Sequence, residues 1–236
     1  MKLLSADFVT SAAAGGTAQG IPHDGLPQIA FAGRSNVGKS SLLNALCRRK
    51  IARTSAAPGK TRLVNIYRAS LEGGPGGPGH WSVYLVDLPG YGYARGGADS
   101  AAELRATSEA YFATVARGAP VARRFIGAPA TGTPESVAAS GRSDAAMNRR
   151  ATGVLLLIDS RHPGLESDVV AAGWLGQLGT PWHVVATKID KLSRAERARN
   201  LRELERTFGM AALPVSAESG EGLDELWQMI ANLVRR

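Results

Sequence analysis

Gly33-Arg34-Ser35-Asn36-Val37-Gly38-Lys39-Ser40 fits G-x-x-x-x-G-K-[ST], the spacing of a loop that wraps phosphate oxygens. Its surroundings suit that reading. Gln28-Ile29-Ala30-Phe31-Ala32 before it is a short apolar strand, and Ser41-Leu42-Leu43-Asn44-Ala45-Leu46-Cys47 after it reads as a helix. Glycines let the backbone approach an anion, and successive N–H groups at a helix N-terminus face it. Lys39 is placed to reach the outer phosphates, and the Ser40 hydroxyl to ligate Mg²⁺. The motif does not name the base, because ATPases and GTPases share it.

Outward from the loop, strands are expected at 28–32, 62–69, 81–86, 153–158, 182–186 and 212–215. Helices are expected at 39–49, 99–117, 165–178, 194–208 and 222–234. Such alternation predicts one α/β domain. Runs 153–158 and 182–186 are continuously apolar, as in parallel strands covered on both faces. Strands 62–69 and 81–86 are joined by the turn-rich Glu72-Gly73-Gly74-Pro75-Gly76-Gly77-Pro78-Gly79, which holds no helix, so they form an antiparallel hairpin at one edge. The expected architecture is a mostly parallel six-stranded sheet with one antiparallel edge strand and helices on both faces. Ser193-x-x-Glu196 is a capping box opening the helix at 194. Residues 118–150, rich in Ala, Gly, Ser, Thr, Pro and Arg, show no period and read as a disordered insertion. Residues 1–25 read as a flexible N-terminal segment.

Three further motifs stand at strand ends. Asp87-Leu88-Pro89-Gly90 follows Val83-Tyr84-Leu85-Val86, so Asp87 can hold Mg²⁺ through water and Gly90 can sense the γ-phosphate. Thr187-Lys188-Ile189-Asp190 matches [NT]-K-x-D. A carboxylate at Asp190 can accept both guanine donors, N1–H and the amino group, a pair that adenine lacks, and Lys188 can brace the phosphate loop. Val215-Ser216-Ala217 can offer a backbone N–H to guanine O6. Between the first helix and the second strand lies Gly59-Lys60-Thr61-Arg62-Leu63, where Thr61 can complete the Mg²⁺ shell; Thr54 competes for that role. The set in this order selects a guanine nucleotide. The nucleotide contacts are thus expected from Gly33 to Ser41, Gly59 to Leu63, Asp87 to Gly90, Thr187 to Asp190 and Val215 to Ala217. Lys39, Thr61 and Asn36 are the catalytic candidates, and Ser40, Thr61 and Asp87 the metal candidates.

The net charge of +8 favours a polyanionic partner such as RNA, although a solvated arginine-rich surface has the same composition. Cys47 is the one cysteine, which suits a reducing cytoplasm and forbids an internal disulfide. The longest apolar run, Val154 to Ile158, is too short to span a bilayer, so no membrane insertion is expected.

These motifs resemble the EngB (YsxC/YihA) family of translation-factor-type GTPases, in the Era/TrmE-like group. The segments that carry the resemblance are Gly33 to Ser41, Pro58-Gly59-Lys60-Thr61, Asp87-Leu88-Pro89-Gly90-Tyr91-Gly92-Tyr93-Ala94, Ile158-Asp159-Ser160-Arg161-His162 and Thr187 to Leu192. The resemblance implies a three-layer P-loop GTPase fold over 26–236 with GTP/GDP and Mg²⁺ bound. It also implies a role in assembling the large ribosomal subunit, with rRNA and ribosomal proteins as partners, and a link to cell division and septation. Lys60 stands where the family usually has Arg, which keeps the charge but loses the bidentate fork.

Tyr91 occupies the position where many GTPases carry a water-orienting glutamine, so slow intrinsic turnover is expected. In related GTPases an asparagine placed like Asn36 helps hold K⁺. Two functional readings remain at this point. One is a monomeric, cytoplasmic, GTP-switched assembly factor. The other is a basic RNA- or ribosome-binding scaffold that binds guanine nucleotide with little hydrolysis.

Overall fold

The computed structural model describes residues 1–13, 21–22, 24–52, 63–74, 77–91, 106, 109, 111–112 and 152–234. Its strands are β1 (Lys2–Ala13), β2 (Gln28–Gly33), β3 (Leu63–Glu72), β4 (His80–Asp87), β5 (Thr152–Asp159), β6 (Trp182–Thr187) and β7 (Leu213–Pro214). Its helices are α1 (Lys39–Leu46), α2 (Glu166–Gln177), α3 (Arg194–Phe208) and α4 (Leu223–Val234), with helical backbone also at Ala106, Glu109, Tyr111 and Phe112.

The strands form one sheet in the order β1-β3-β4-β2-β5-β6-β7. Neighbours from β4 to β7 are parallel, and β3 runs antiparallel to both β4 and β1. The mostly parallel sheet with an antiparallel edge is therefore present, with seven strands rather than the expected six. The extra strand is β1, so the expectation of a flexible segment over 1–25 fails for Lys2–Ala13. The outermost place belongs to β1, and β3 lies second.

β1 escaped sequence reading for a physical reason. Register shifts between Leu3 and Ser5 and between Phe8 and Thr10 insert an extra residue twice. Each bulge resets the alternation of faces, which erases the period of two. Ala6 and Ala12 point inward, while Phe8 and Val9 stay exposed.

The central strands are buried on both sides, which explains their unbroken apolar runs. One core packs α2 residues Ala171, Trp174 and Leu175 with Tyr111, Phe112 and alternate strand residues such as Ala30, Val154 and Leu156. The other packs α1 residues Leu42, Leu43 and Leu46 and α4 residues Leu226, Trp227 and Ile230 onto Ile29, Phe31 and Leu155. Helices thus cover both faces, and the carboxyl ends of β2, β4, β5 and β6 gather at one rim. Such a rim is where open α/β sheets bind ligands. The expected capping box is formed: Ser193 Oγ accepts from Glu196 N at 3.3 Å, and Ser193 N donates to Glu196 Oε2 at 2.9 Å. A cap of this kind contributes about 1 kcal/mol to the helix.

Candidate nucleotide-binding site

The loop leaving β2 turns sharply into α1. Gly38, the residue before the helix, has φ 105°, a region that an L side chain rarely adopts. Among the described residues no side chain caps the N-terminus of α1. Its backbone donors, with the positive end of the helix dipole, are therefore suited to an anion. Lys39 is the first helical residue and is buried. Its Nζ donates to Gly33 O at 2.9 Å and to Arg34 O at 3.3 Å. Burial lowers its pKa, and the charge of Asp87 only partly opposes this.

Asp87 ends β4 and is 5% exposed. Its Oδ1 is buried and without a hydrogen-bond partner among the described residues. Desolvation pushes its pKa up to about 6, against the pull of Lys39 and the Ser40 hydroxyl. Among the described residues, a buried lysine bonded only to carbonyls and a buried carboxylate with an orphaned oxygen are what a phosphate–metal group would satisfy. The donor set of Asp87 and Ser40 is also all oxygen, as Mg²⁺ prefers. The residues present fit Mg²⁺ and phosphate.

The loops after β6 and β7 are joined to this cradle by side chains. Thr187 Oγ1 donates to Val37 O at 2.7 Å. Lys188 Nζ donates to Asn36 O at 2.6 Å and to Asp159 Oδ2 at 2.9 Å. Both Lys188 and Asn36 hold left-handed backbone, with φ 59° and 63°. Each such residue costs on the order of 1–2 kcal/mol, and strain of this kind gathers at binding sites. Asp190 Oδ1 accepts from Ser216 Oγ at 2.7 Å, and its Oδ2 lies 3.0 Å from Lys191. Burial alone would raise the Asp190 pKa; the Ser216 and Lys191 bonds outweigh it and keep the carboxylate ionised. Ser216 N donates to Glu221 O, so that amide is already engaged within the loop.

The structure therefore brings together Gly33 to Ser41, Asp87 to Gly90, Thr187 to Asp190 and Val215 to Ala217. Leu63 opens β3. Gly59, Lys60, Thr61, Arg62 and the competitor Thr54 lie outside the described residues, as do Gly92, Tyr93 and 118–150.

Sequence reasoning assigned no role to Asp159. It sits at the carboxyl end of β5, and its carboxylate receives Lys188 and both Arg161 Nε (2.9 Å) and Arg161 Nη2 (2.8 Å). Burial raises its pKa, but those bonds together hold it well below the usual carboxylate range. An acid ending an apolar strand beside the phosphate-loop strand is the signal that could have found it. Asp168, buried at the start of α2, carried no such signal.

A protein-family model described as "50S ribosome-binding GTPase" matches residues 28–188. The chain is 38% identical to the probable GTP-binding protein EngB of Solibacter usitatus, over 100% of this chain and 99% of that protein. It is also 38% identical to its Chlorobaculum tepidum counterpart, over 96% and 95%. Among solved structures, an Aquifex aeolicus Era variant bound to GDP and aluminium fluoride superposes with TM-score 0.61 at 20% identity, covering 89% of this chain and 57% of that one. A probable GTP-binding protein EngB does so with TM-score 0.51 at 18% identity, covering 88% and 98%. The structural likenesses show the fold, and the full-length sequence relatives carry the assignment: this chain belongs to the EngB family of GTP-binding proteins.

Proposed function

We propose that this protein is a GTP-driven switch and slow GTPase acting in assembly of the large ribosomal subunit. Its G domain would span 26–236, interrupted by an insertion at 118–150. The observation that carries the nucleotide part is the link between the two half-sites. Lys188 bonds Asn36 of the phosphate loop two residues before Asp190, the guanine-reading carboxylate. The ribosomal part rests on the family description and on the net charge of +8. A link to cell division and septation, a cytoplasmic location and a monomeric state rest on family resemblance. No helix among the described residues is long and apolar enough to cross a membrane.

In this reading Asp190 and the Ala217 amide select guanine. The loop from Gly33 to Ser41 holds the phosphates, and Lys39 neutralises charge on the outer ones. Gly59 to Leu63 covers the nucleotide, and Leu88, Pro89 and Gly90 respond to the γ-phosphate. Ser40, Thr61 and, through water, Asp87 would hold Mg²⁺, which supplies charge neutralisation across the phosphates when bound. Tyr91 cannot orient water as a glutamine amide does. Its hydroxyl is spent on Asp168 at 2.8 Å, which supports slow unassisted turnover. Asn36 is exposed on the loop, where its amide can hold K⁺. Turnover should then rise when K⁺ replaces Na⁺; equal affinity and rate in both ions would remove that role.

The deciding experiment is sedimentation with large-subunit particles in GDP and in a non-hydrolysable GTP analogue. Co-sedimentation with the analogue and release in GDP is expected. Co-sedimentation indifferent to nucleotide would instead describe a basic ribosome-binding scaffold.

A further inference from the structure

Arg34, Tyr91 and Asp168 form a second polar cluster that the motif roles leave unused. Asp168 lies in the first turn of α2 and is completely buried; Tyr91 is 4% exposed. Tyr91 Oη donates to Asp168 Oδ1 at 2.8 Å. Arg34 Nε lies 3.3 Å from Asp168 Oδ2, yet the two are not aligned as a hydrogen bond, and both atoms are otherwise unpartnered among the described residues. The carboxylate is thus firmly held by the tyrosine and loosely by the arginine.

The backbone beside this cluster lies across the phosphate loop. Tyr91 pairs with Arg34 as an isolated parallel bridge. Ser35 N donates to Tyr91 O at 2.8 Å, and Ser35 Oγ donates to Gly90 O at 3.3 Å. A Cβ on Gly90 would stand 2.9 Å from both Lys39 Nζ and Ser35 N. One donor that the loop would turn toward an outer phosphate, Ser35 N–H, is therefore occupied by this segment, and Gly90 lies over a second, Lys39 Nζ. Ser35 N–H is bonded to Tyr91, and Lys39 Nζ is bonded to loop carbonyls under Gly90.

We infer that Asp168 is a positioning residue that, through the Tyr91 hydroxyl and Arg34, latches Gly90–Tyr91 onto the phosphate loop in an arrangement that competes with the terminal phosphate of GTP and not with GDP. A γ-phosphate reaching Ser35 N–H must lift this segment. The latch then opposes GTP by the free energy of its contacts, because a ligand shifts a two-state segment only by its differential affinity for the states. The inference rests on the switch reading above.

The test is equilibrium binding of GDP and of a non-hydrolysable GTP analogue to the full chain, unmodified and as Tyr91→Phe and Asp168→Asn. Tyr91→Phe removes the latch hydrogen bond and keeps the ring packing. It should raise affinity for the analogue relative to GDP by roughly three- to tenfold, the scale of one buried hydrogen bond. Asp168→Asn should move the ratio the same way. General loosening of the fold would weaken both nucleotides alike and leave the ratio unmoved, so the ratio separates latching from packing. If Asp168→Asn does not fold, the Tyr91→Phe ratio decides alone. An unchanged ratio, or a shift toward GDP, overturns the latch while leaving the GTP-binding reading intact. An unmodified chain that binds neither nucleotide overturns that reading and the latch with it.

Discussion

Asp87 beside the Gly33–Ser40 loop is buried with one oxygen unpartnered among the described residues, whereas Asp159 beside Lys188 is held by Arg161 and Lys188. The same side chain is thus pushed in opposite directions. Burial lifts the Asp87 pKa to about 6, and ionic hydrogen bonds hold Asp159 below the usual range. Lys39 and Lys188 show the same contrast: one bonds only carbonyls, the other a carboxylate and a carbonyl. The Asp159 end is pre-assembled by its own ion pairs. The Asp87 end keeps charges that are costly until an ionic ligand arrives. In the proposed reading, the phosphates would therefore relieve the larger charge cost, while the loops around Lys188 and Asp159 are already held by their own bonds.

The largest effect is expected at the phosphate end. Lys39→Ala should lower kcat/KM for GTP by roughly 10²- to 10³-fold, the usual loss for one pre-organised donor to developing charge. A loss of only a few-fold, read from steady-state phosphate release, would mean that Lys39 does not face the phosphates.

At the base end, Asp190→Asn should weaken GTP by roughly tenfold to a hundredfold, since an amide cannot accept both guanine donors. It should also shift preference toward xanthine nucleotides, whose extra carbonyl suits the new amide. Competition binding with GTP and XTP reads this out, and an unchanged guanine preference would separate Asp190 from the base.

The smallest effect tests the contrast most directly. Asp87 has a folded pKa above its unfolded value of 3.8, so the folded state binds the proton more tightly. Its contribution is favourable below about pH 4 and is lost as pH rises through about 6. Asp87→Asn should therefore stabilise the nucleotide-free protein at pH 8 by about 1–3 kcal/mol, with the gain fading toward pH 4. Asp159 has a depressed folded pKa, so its contribution is present above the unfolded value and lost as pH falls below it. Asp159→Asn should destabilise at pH 7 by about 1–2 kcal/mol. Urea unfolding of both variants across pH gives the comparison, and changes of the same sign at pH 8 would break it.

Much of this site could be read before any coordinates. Gly33 to Ser40 and Thr187 to Asp190 are contiguous, and each brings its own backbone donors or side chains to one strand end. Asp159 stood in the sequence only within Ile158–His162, a segment of the family resemblance, with no role of its own. Its roles in holding Lys188 and Arg161 depend on β5 lying between β2 and β6. β1 was missed because two bulges cancel its alternation.

Local chemistry therefore specified the phosphate-loop turn, the Thr187–Asp190 turn and the strand–helix alternation, because turn residues, helix starts and apolar runs act over a few neighbours. The folded chain alone decided which charges are compensated. Asp168 meets Tyr91 across 77 positions of sequence. The high pKa of Asp87 comes from burial beneath packed neighbours, and desolvation, unlike motif spacing, exists only once distant segments have excluded water.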